Sequence, residues 1–257
     1  TADRLVTFGV NPQLARYETA KSLQFYERLT ERLSALPGVK MVSASTVPFL
    51  AGSTWNTSIV VEGHQAKNDQ EGHSRVAEVG PQFFAAMGIP LLNGREFASA
   101  DKTGAPRVAI VNETFARRYF GDANPIGQRI RFGVIKKDTP WVEIVGVVGH
   151  IRVNNLESDP TPQLYWPAAQ TRLEMQRGEY RVGLAVRTAG QPEAFTSAVI
   201  EQIQKENPGQ PVYDIRTLSD RLEQSLQARH LLTGLVMVFG GAALLLACLG
   251  LYGVVSY

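Results

Sequence analysis

The amino-acid sequence predicts a mixed α+β protein, and three observations carry that prediction. Two strand-helix-strand patterns lie near the two ends of the polar portion, a stretch of short strand candidates separates them, and an uncharged apolar run closes the chain. A length of 257 residues fits one large or two modest domains with a sizeable core.

The first unit opens with Leu5 to Val10, a run of strand character that Pro12 closes. Tyr26, Leu29, Leu33 and Leu36 then recur at spacings of three and four, marking one face of a helix that Pro37-Gly38 stops. Val39 to Thr46 reads as the second strand. The same grammar returns near the other end. Tyr180, Val182, Leu184 and Val186 alternate with Arg181, Gly183, Ala185 and Arg187, the period of a half-buried strand. Pro192 suits the first turn of a helix whose apolar face is Phe195, Ala198, Val199 and Ile203. Pro208-Gly209 stops it, and Val212 to Arg216 is the closing strand. Two such units commonly join into one four-stranded sheet with both helices on one face, so residues 1–46 and 178–216 are expected to form one discontinuous domain.

Residues 47–177 have a different texture. Strand candidates at Ser58 to Glu62, Arg75 to Val79, Val108 to Val111, Gln128 to Phe132 and Val142 to Val148 are interrupted by short helical stretches at Pro81 to Met87 and Glu113 to Phe120. Asn93-Gly94, Asn124-Pro125 and Asp159-Pro160 supply turns. An inserted β-rich subdomain is expected, more suited to a rigid recognition surface than to a catalytic pocket.

After Arg216, Thr217 is a candidate N-cap with Asp220 three residues on, and Leu218, Leu222 and Leu226 share one face of a stalk helix over residues 217–230. Residues 231–257 carry no charge. As a helix they would be roughly 40 Å long against a hydrocarbon core of about 30 Å, which predicts a transmembrane helix. A buried core helix seldom runs far beyond about 14 residues without a charge. A signal peptide fails on position, and a GPI-type signal on length and the missing small-residue site and polar spacer. Nothing between Asp220 and Leu231 stops a helix, so stalk and span are expected to join as a rod of about 40 residues, roughly 60 Å long. The alternative is a bend near Gly234 or Gly240-Gly241. Ala243-x-x-x-Ala247 offers a small-residue face for helix contact.

Composition narrows the function. The net charge of +2 comes from interspersed signs, which does not indicate nucleic acid. Cys248, the only cysteine, lies in the apolar run, so the polar portion has no disulfide or cysteine-based metal site and leans toward a bacterial envelope protein. Asn56-Thr57-Ser58 and Asn112-Glu113-Thr114 match the glycosylation sequon, a match common by chance. No P-loop motif occurs, so ATP would have to be bound by a partner or another segment. His64, His73, His150 and His230 are scattered outside any metal-ligand spacing. Glu71 and His73 beside Ser74 invite a hydrolase reading, but no nucleophile elbow surrounds Ser74 and Asn68-Asp69-Gln70 reads as a solvated loop. Asp101, Asp122 and Asp159 stand in turn contexts, and Gly94-Arg95 with Asp101 is expected to fix a loop. Trp55, Trp141 and Trp166 are expected in packing roles ahead of a lipophilic cleft. No catalytic, cofactor-binding or metal residue is assigned, no cofactor is expected, and the substrate-binding residues are unknown.

A run of motifs resembles the MacB-like periplasmic core domain of FtsX-type ABC-transporter permeases, nearest to the long permeases of acidobacteria and their relatives. In order they are Leu36-Pro37-Gly38-Val39, Thr46-Val47-Pro48, Gly80-Pro81-Gln82-Phe83-Phe84, Met87 to Phe97, Val108 to Glu113, Phe115 to Gly121, Asn124-Pro125-Ile126-Gly127, Glu143 to Val148, and Leu164-Tyr165-Trp166-Pro167 with Gln170. An apolar segment ending Leu249 to Tyr257 follows. His150 departs from the acidic residue expected after the Val-Val-Gly run.

The resemblance implies a porter-like domain of two strand-helix-strand units with an inserted β-rich subdomain, held between the first and second membrane helices of a permease. It implies a bacterial inner-membrane location with the large domain in the periplasm or outside, an ABC ATPase partner, a homodimer or paired permease, contact with membrane lipid, and a periplasmic adaptor as a further possible partner. The chain itself is expected not to be an enzyme. It would couple ATP hydrolysis in the cytoplasm to conformational change outside, for export or extraction of a large or lipophilic cargo. Two rival readings are a membrane-tethered envelope hydrolase and a ligand-sensing scaffold without transport.

Overall fold

The structure, a computed structural model, describes residues 4–10, 19–45, 55–64, 72–136, 138–150, 161–170, 182–208, 211–217 and 220, together with 236–237, 239–244, 246–249, 251–252 and 256. It divides into two compact units, Thr1–Leu218 and Ser219–Tyr257.

In the first unit the chain ends meet in four strands. β1 (Leu5–Val10), β2 (Val39–Ser45), β10 (Val182–Thr188) and β11 (Val212–Thr217) stand in the order β11-β1-β10-β2, every neighbouring pair antiparallel. β1, the first strand of the chain, is thus internal to the sheet. Alternate residues Val6, Phe8 and Val10 of β1, with Leu184 and Val186 of β10 and Val42 of β2, form one face. Helices α1 (Thr19–Ser34) and α4 (Glu193–Glu206) cover that face with Phe25, Leu29 and Leu33 from one and Val199 and Ile203 from the other. Fully burying side chains of this kind stabilises by about 1.5–3 kcal/mol each, before the entropy of ordering them. Glu206 joins the helices at the rim, pairing with Arg28 and, at 3.1 Å, with Arg32.

The strand over residues 182–188 differs from the half-buried pattern of its sequence. Gly183 and Ala185, on the face away from α1 and α4, are also buried. Ala185 and Leu5 join a second core formed with residues of the inserted segment, so the sheet is covered on both faces.

The inserted segment closes on itself. β3 (Trp55–Val61), β4 (His73–Val79), β6 (Val108–Asn112), β7 (Arg129–Phe132), β8 (Val142–Val148) and β9 (Gln163–Pro167) pair in the cycle β3-β4-β9-β6-β8-β7 and back to β3. The β4–β9 and β6–β8 pairs are parallel and the others antiparallel. Closure removes edges within the ring, and side chains alternate between its inside and outside. Every strand of the ring sends apolar residues inward, among them Ile59, Val76, Val111, Ile130, Ile144 and Leu164. Helix α3 (Glu113–Phe120) adds Phe115 and Tyr119 to that interior. A register shift in the β6–β8 pairing lets Ile144 and Val147 point inward while Val145 and Val148 point outward.

Two strands went unanticipated. β5 (Leu91–Gly94) lies where Asn93-Gly94 was expected to turn; it pairs with β8 at the sheet edge and carries Leu91 and Leu92 exposed. β9 lay inside a motif without strand alternation, because it is buried on both faces.

At the C-terminal side, Thr217 closes β11 and pairs with Val6, and the first helical turn it was expected to cap falls largely outside the described residues. Of the expected stalk, only Thr217 and Asp220 lie among the described residues, and Asp220 is helical. In the second unit, residues 236–237, 239–244, 246–249 and 251–252 are helical, with the large apolar side chains from Val236 to Tyr252 66% to 73% exposed. Among the described residues no helix is long and apolar enough to cross a membrane. The rest of the expected span falls outside the described residues.

Candidate functional site

The place where the barrel meets the four-stranded sheet is built around helix α2 (Phe83–Met87). Among the described residues the two sheets are joined at the ladder pair Ser45 with Val79, extended by a hydrogen bond from the Gly80 N–H to the Ala44 carbonyl at 2.8 Å. A Cβ on Gly80 would come within 3.2 Å of the Ala44 nitrogen, a tight approach for the adjoining strand. Gln82 follows in the left-handed region at φ 57°, a conformation costly for a residue with a Cβ. It turns the chain so that Phe83, Phe84 and Ala86 are buried while Gln82 stays exposed. Gly88, at φ 71°, ends the helix, and the Ile89 N–H returns to the Phe84 carbonyl at 2.8 Å.

Aromatic packing fills the joint. The Phe84 ring stands edge-on to Tyr165 of β9 at 4.9 Å, and Phe83 lies 6.1 Å from the same ring. Burial pushes the Tyr165 phenol far above its ordinary value. Its hydroxyl has no hydrogen-bond partner among the described residues, and neither does the buried Ser43 hydroxyl of β2, which faces Gly80. A polar contact crosses the joint: Arg187 of β10 donates from Nε to the Ala86 carbonyl at 2.7 Å.

Elsewhere the barrel is held by side chains that satisfy backbone groups. Asn112 is fully buried at the end of β6. Its Oδ1 accepts from the N–H groups of Phe115 and Gln163 at 2.9 and 3.0 Å. Its Nδ2 donates to the Thr161 carbonyl at 2.9 Å and lies 3.1 Å from His150 Nδ1. Asn112 thereby caps α3 and ties it to β9. Gln170 does similar work, accepting from Val108 N–H and Trp166 Nε1 and donating to the Pro106 carbonyl at 2.8 Å. Gly94 meets β8 so closely that a Cβ would lie 2.2 Å from the Val145 carbonyl oxygen.

The Arg95–Asp101 pair fixes a loop. Arg95 donates from Nη1 and Nη2 to the two Asp101 oxygens at 2.7 and 3.0 Å, and the Ala98 N–H donates to Oδ2 at 2.7 Å. Those hydrogen bonds from Arg95 hold the Asp101 carboxyl below its ordinary range and raise the Arg95 guanidinium.

Among the described residues, His73 and Ser74 of the candidate hydrolase set do not come together. Ser74 is buried and its hydroxyl donates to the Pro162 carbonyl at 3.2 Å, whereas neighbouring His73 is exposed on the alternate face of β4. Glu71, Asp159 and His230 lie outside the described residues. His64 stands edge-on to Tyr119, and His150 packs at Asn112. No group of three or more His, Cys, Asp or Glu able to hold a metal occurs among the described residues. Trp166 is buried with Phe132 edge-on at 4.6 Å, and Trp141 lies under Arg131 at 4.1 Å. The Asn112 sequon match is one of chance, since its amide nitrogen is buried and hydrogen-bonded. Sequence reasoning missed Asn112 as a cap, although Asn before Glu113 and an apolar helix face is a recognisable start signal. Gln170 entered only as part of a family motif, since its backbone partners Pro106 and Val108 are distant in the chain, and Arg187 left no local signal for its contact with Ala86.

Comparison with known proteins fits this construction. The model of the MacB-like periplasmic core domain matches residues 2–205. The macrolide export ATP-binding/permease protein MacB of Chromobacterium violaceum is 25% identical over 210 residues, covering 78% of this chain and 31% of that protein. The pyoverdine export ATP-binding/permease protein PvdT of Pseudomonas syringae pv. tomato is 23% identical over 175 residues, 67% of this chain and 26% of that protein. The chain therefore spans about a quarter to a third of the length of these curated relatives. The crystal structure of the periplasmic region of MacB from Actinobacillus actinomycetemcomitans superposes with a TM-score of 0.59 at 15% identity, over 88% of this chain and 94% of that one, a likeness of fold. The chain belongs to the family of MacB-like periplasmic core domains, a mixed α+β fold homologous to part of ABC exporter permeases.

Proposed function

We propose that this chain is the extracytoplasmic module and one membrane helix of an ABC-transporter permease, coupling ATP hydrolysis in the cytoplasm to movement outside it. The observation that carries this reading is the family match over residues 2–205. In this reading residues 1–46 and 178–216 are the porter-like domain, 47–177 the inserted β-rich subdomain, 217–230 the stalk and 231–257 the span. ATP is bound by an ABC ATPase, either a partner subunit or another segment of the same polypeptide, as the names of the two ATP-binding/permease relatives support. The permease works as a pair in the bacterial inner membrane with this module outside. A periplasmic adaptor and membrane lipid are further partners in the same reading. The cargo is large or lipophilic, and this module contributes recognition and force transmission but no covalent chemistry. The buried, hydrogen-bonded Ser74 argues against the hydrolase alternative.

Mechanically, closure of the ATPase dimer moves the helix that starts after β11, and that helix moves the outer subdomains. Inserting a flexible glycine linker near Arg229 in the complete transporter is expected to uncouple ATP turnover from transport. Transport-coupled turnover that survives the linker unchanged sinks the rod mechanism. Screening the chain for hydrolase activity, with and without Ser74→Ala, is expected to show none that depends on Ser74.

A further inference from the structure

We infer that the β7–β8 side of the barrel is a docking surface for an acidic face of a partner protein, with Arg131, stacked on Trp141, receiving one of its carboxylates; this goes beyond the transporter role and stands on the side chains of this region alone.

Strand pairing sets the surface out in two rows. Ile59, Ile130 and Val142 point into the barrel, so the residues that alternate with them lie on its outside. Val60 pairs with Arg131, and Trp141 lies under the Arg131 guanidinium at 4.1 Å. In the adjoining row Arg129 stands between Glu62 and Glu143. The two arginines differ in what holds them. Both oxygens of Glu62 accept from Arg129. Among the described residues no carboxylate pairs with Arg131, and its buried Nε has no hydrogen-bond partner. Stacking on Trp141 fixes the plane of the guanidinium without using its N–H groups, so the two Nη groups are set for a planar carboxylate.

The same region carries exposed apolar surface. Of the four large apolar side chains exposed among the described residues of Thr1–Leu218, Val134 is the most open at 67%, and Val60 is another at 40%. The loop that bears Val134 is tied down. The Gly133 N–H donates to Thr57 Oγ1 at 2.9 Å, and Thr139 Oγ1 accepts from the Lys136 N–H at 2.7 Å. A surface formed in advance loses less conformational entropy when a partner arrives.

The pattern of charge selects the occupant. Residues 129–141 hold four basic residues against one acidic, in a chain whose net charge is +2. A uniformly anionic lipid surface would attract that excess, but it would also meet Glu62 and Glu143, both exposed in the next row. Interleaved signs suit a protein face, on which a carboxylate stands opposite Arg131 and none opposes the two glutamates.

The probe is a fluorescein-labelled peptide of alternating glutamate and alanine, with glutamine and lysine counterparts, added to the full 257-residue chain in nonionic micelles. By fluorescence anisotropy the glutamate peptide should bind roughly tenfold more tightly than the glutamine peptide. Arg131→Gln should weaken the glutamate peptide about five- to tenfold, and Trp141→Ala, which keeps the charge but removes the stack, about threefold. Arg131→Glu, in a chain that still melts cooperatively, should lose the glutamate peptide and gain the lysine one. Arg117→Gln, at an exposed pair on α3, should leave binding unchanged. Equal binding of the glutamate and glutamine peptides overturns the docking surface. So does an equal loss in Arg131→Gln and Arg117→Gln, which marks a diffuse charge effect. A second arm places an environment-sensitive dye on the Val134→Cys, Cys248→Ser chain in nanodiscs. A dye signal that requires phosphatidylglycerol and disappears with Arg131→Gln assigns the surface to lipid and overturns the protein partner; a signal indifferent to phosphatidylglycerol but shifted by the glutamate peptide upholds it. Each of these failures leaves the family-based transporter role standing, because that role rests on the match over residues 2–205.

Discussion

The four-stranded sheet and the barrel solve the problem of stability in different ways. The sheet buries a continuous layer of large side chains between itself and two long helices, with Phe8, Phe25, Leu29, Leu33, Val199 and Ile203 nearly or fully inaccessible. The barrel is made of strands four to seven residues long and adds single polar side chains that satisfy backbone groups at strand ends. Apolar layers resist a change of tilt only weakly in direction, whereas hydrogen bonds at fixed angles lock geometry. The barrel thus adds directional contacts at strand ends to its packing, whereas the sheet relies chiefly on its apolar layer.

Four substitutions test this contrast. Phe25→Ala should cost about 3–5 kcal/mol by urea denaturation, the range for deleting a buried aromatic ring from a packed core. Asn112→Ala should cost about 3 kcal/mol, combining the lost helix cap with buried backbone groups left unmatched. If Asn112→Ala proves nearly neutral, the barrel is held by packing like the sheet and the contrast fails.

Asp101→Asn is expected to be milder, about 1–2 kcal/mol at neutral pH, because half-exposed Arg95 is partly screened by solvent. Its signature is the pH dependence. The carboxyl's folded pKa lies below its ordinary 3.8, so its stabilisation is present above about that pH and is lost as pH falls through the folded value. The gap between wild type and Asp101→Asn in thermal denaturation should narrow below pH 3.8 and stay constant above pH 6. A gap that widens on acidification contradicts the assigned ion pair. Smallest of all, Glu206→Gln should cost about 0.5–1 kcal/mol and become less costly at high salt, since its arginine partners are about half exposed.

What was legible in the sequence follows the range of the forces involved. Leu29 and Leu33 on one helix and Val199 and Ile203 on the other were readable from spacing alone, and all four are fully buried. Leu184 and Val186 were equally clear, yet the burial of Gly183 and Ala185 opposite them was not, since α2 comes from a segment about a hundred residues away. The strand at Leu91–Gly94 was not legible because Asn93-Gly94 is a local turn signal, whereas the strand depends on pairing with distant β8. The Arg95–Asp101 loop was readable because its two ends are six residues apart. Arg187 with Ala86 was not, across 101 residues.

The sequence by itself determined the periodic elements, their stops at Pro37-Gly38 and before Pro208, and the apolar character of residues 231–257, because each depends on neighbours within a few positions. Only the tertiary structure decided that six short strands close into a ring, that parallel pairs β4–β9 and β6–β8 complete it, and that α2 is wedged against the second face of the four-stranded sheet. Those outcomes depend on contacts between distant segments, where side-chain volume, backbone hydrogen bonding and the geometry of closure must be satisfied together.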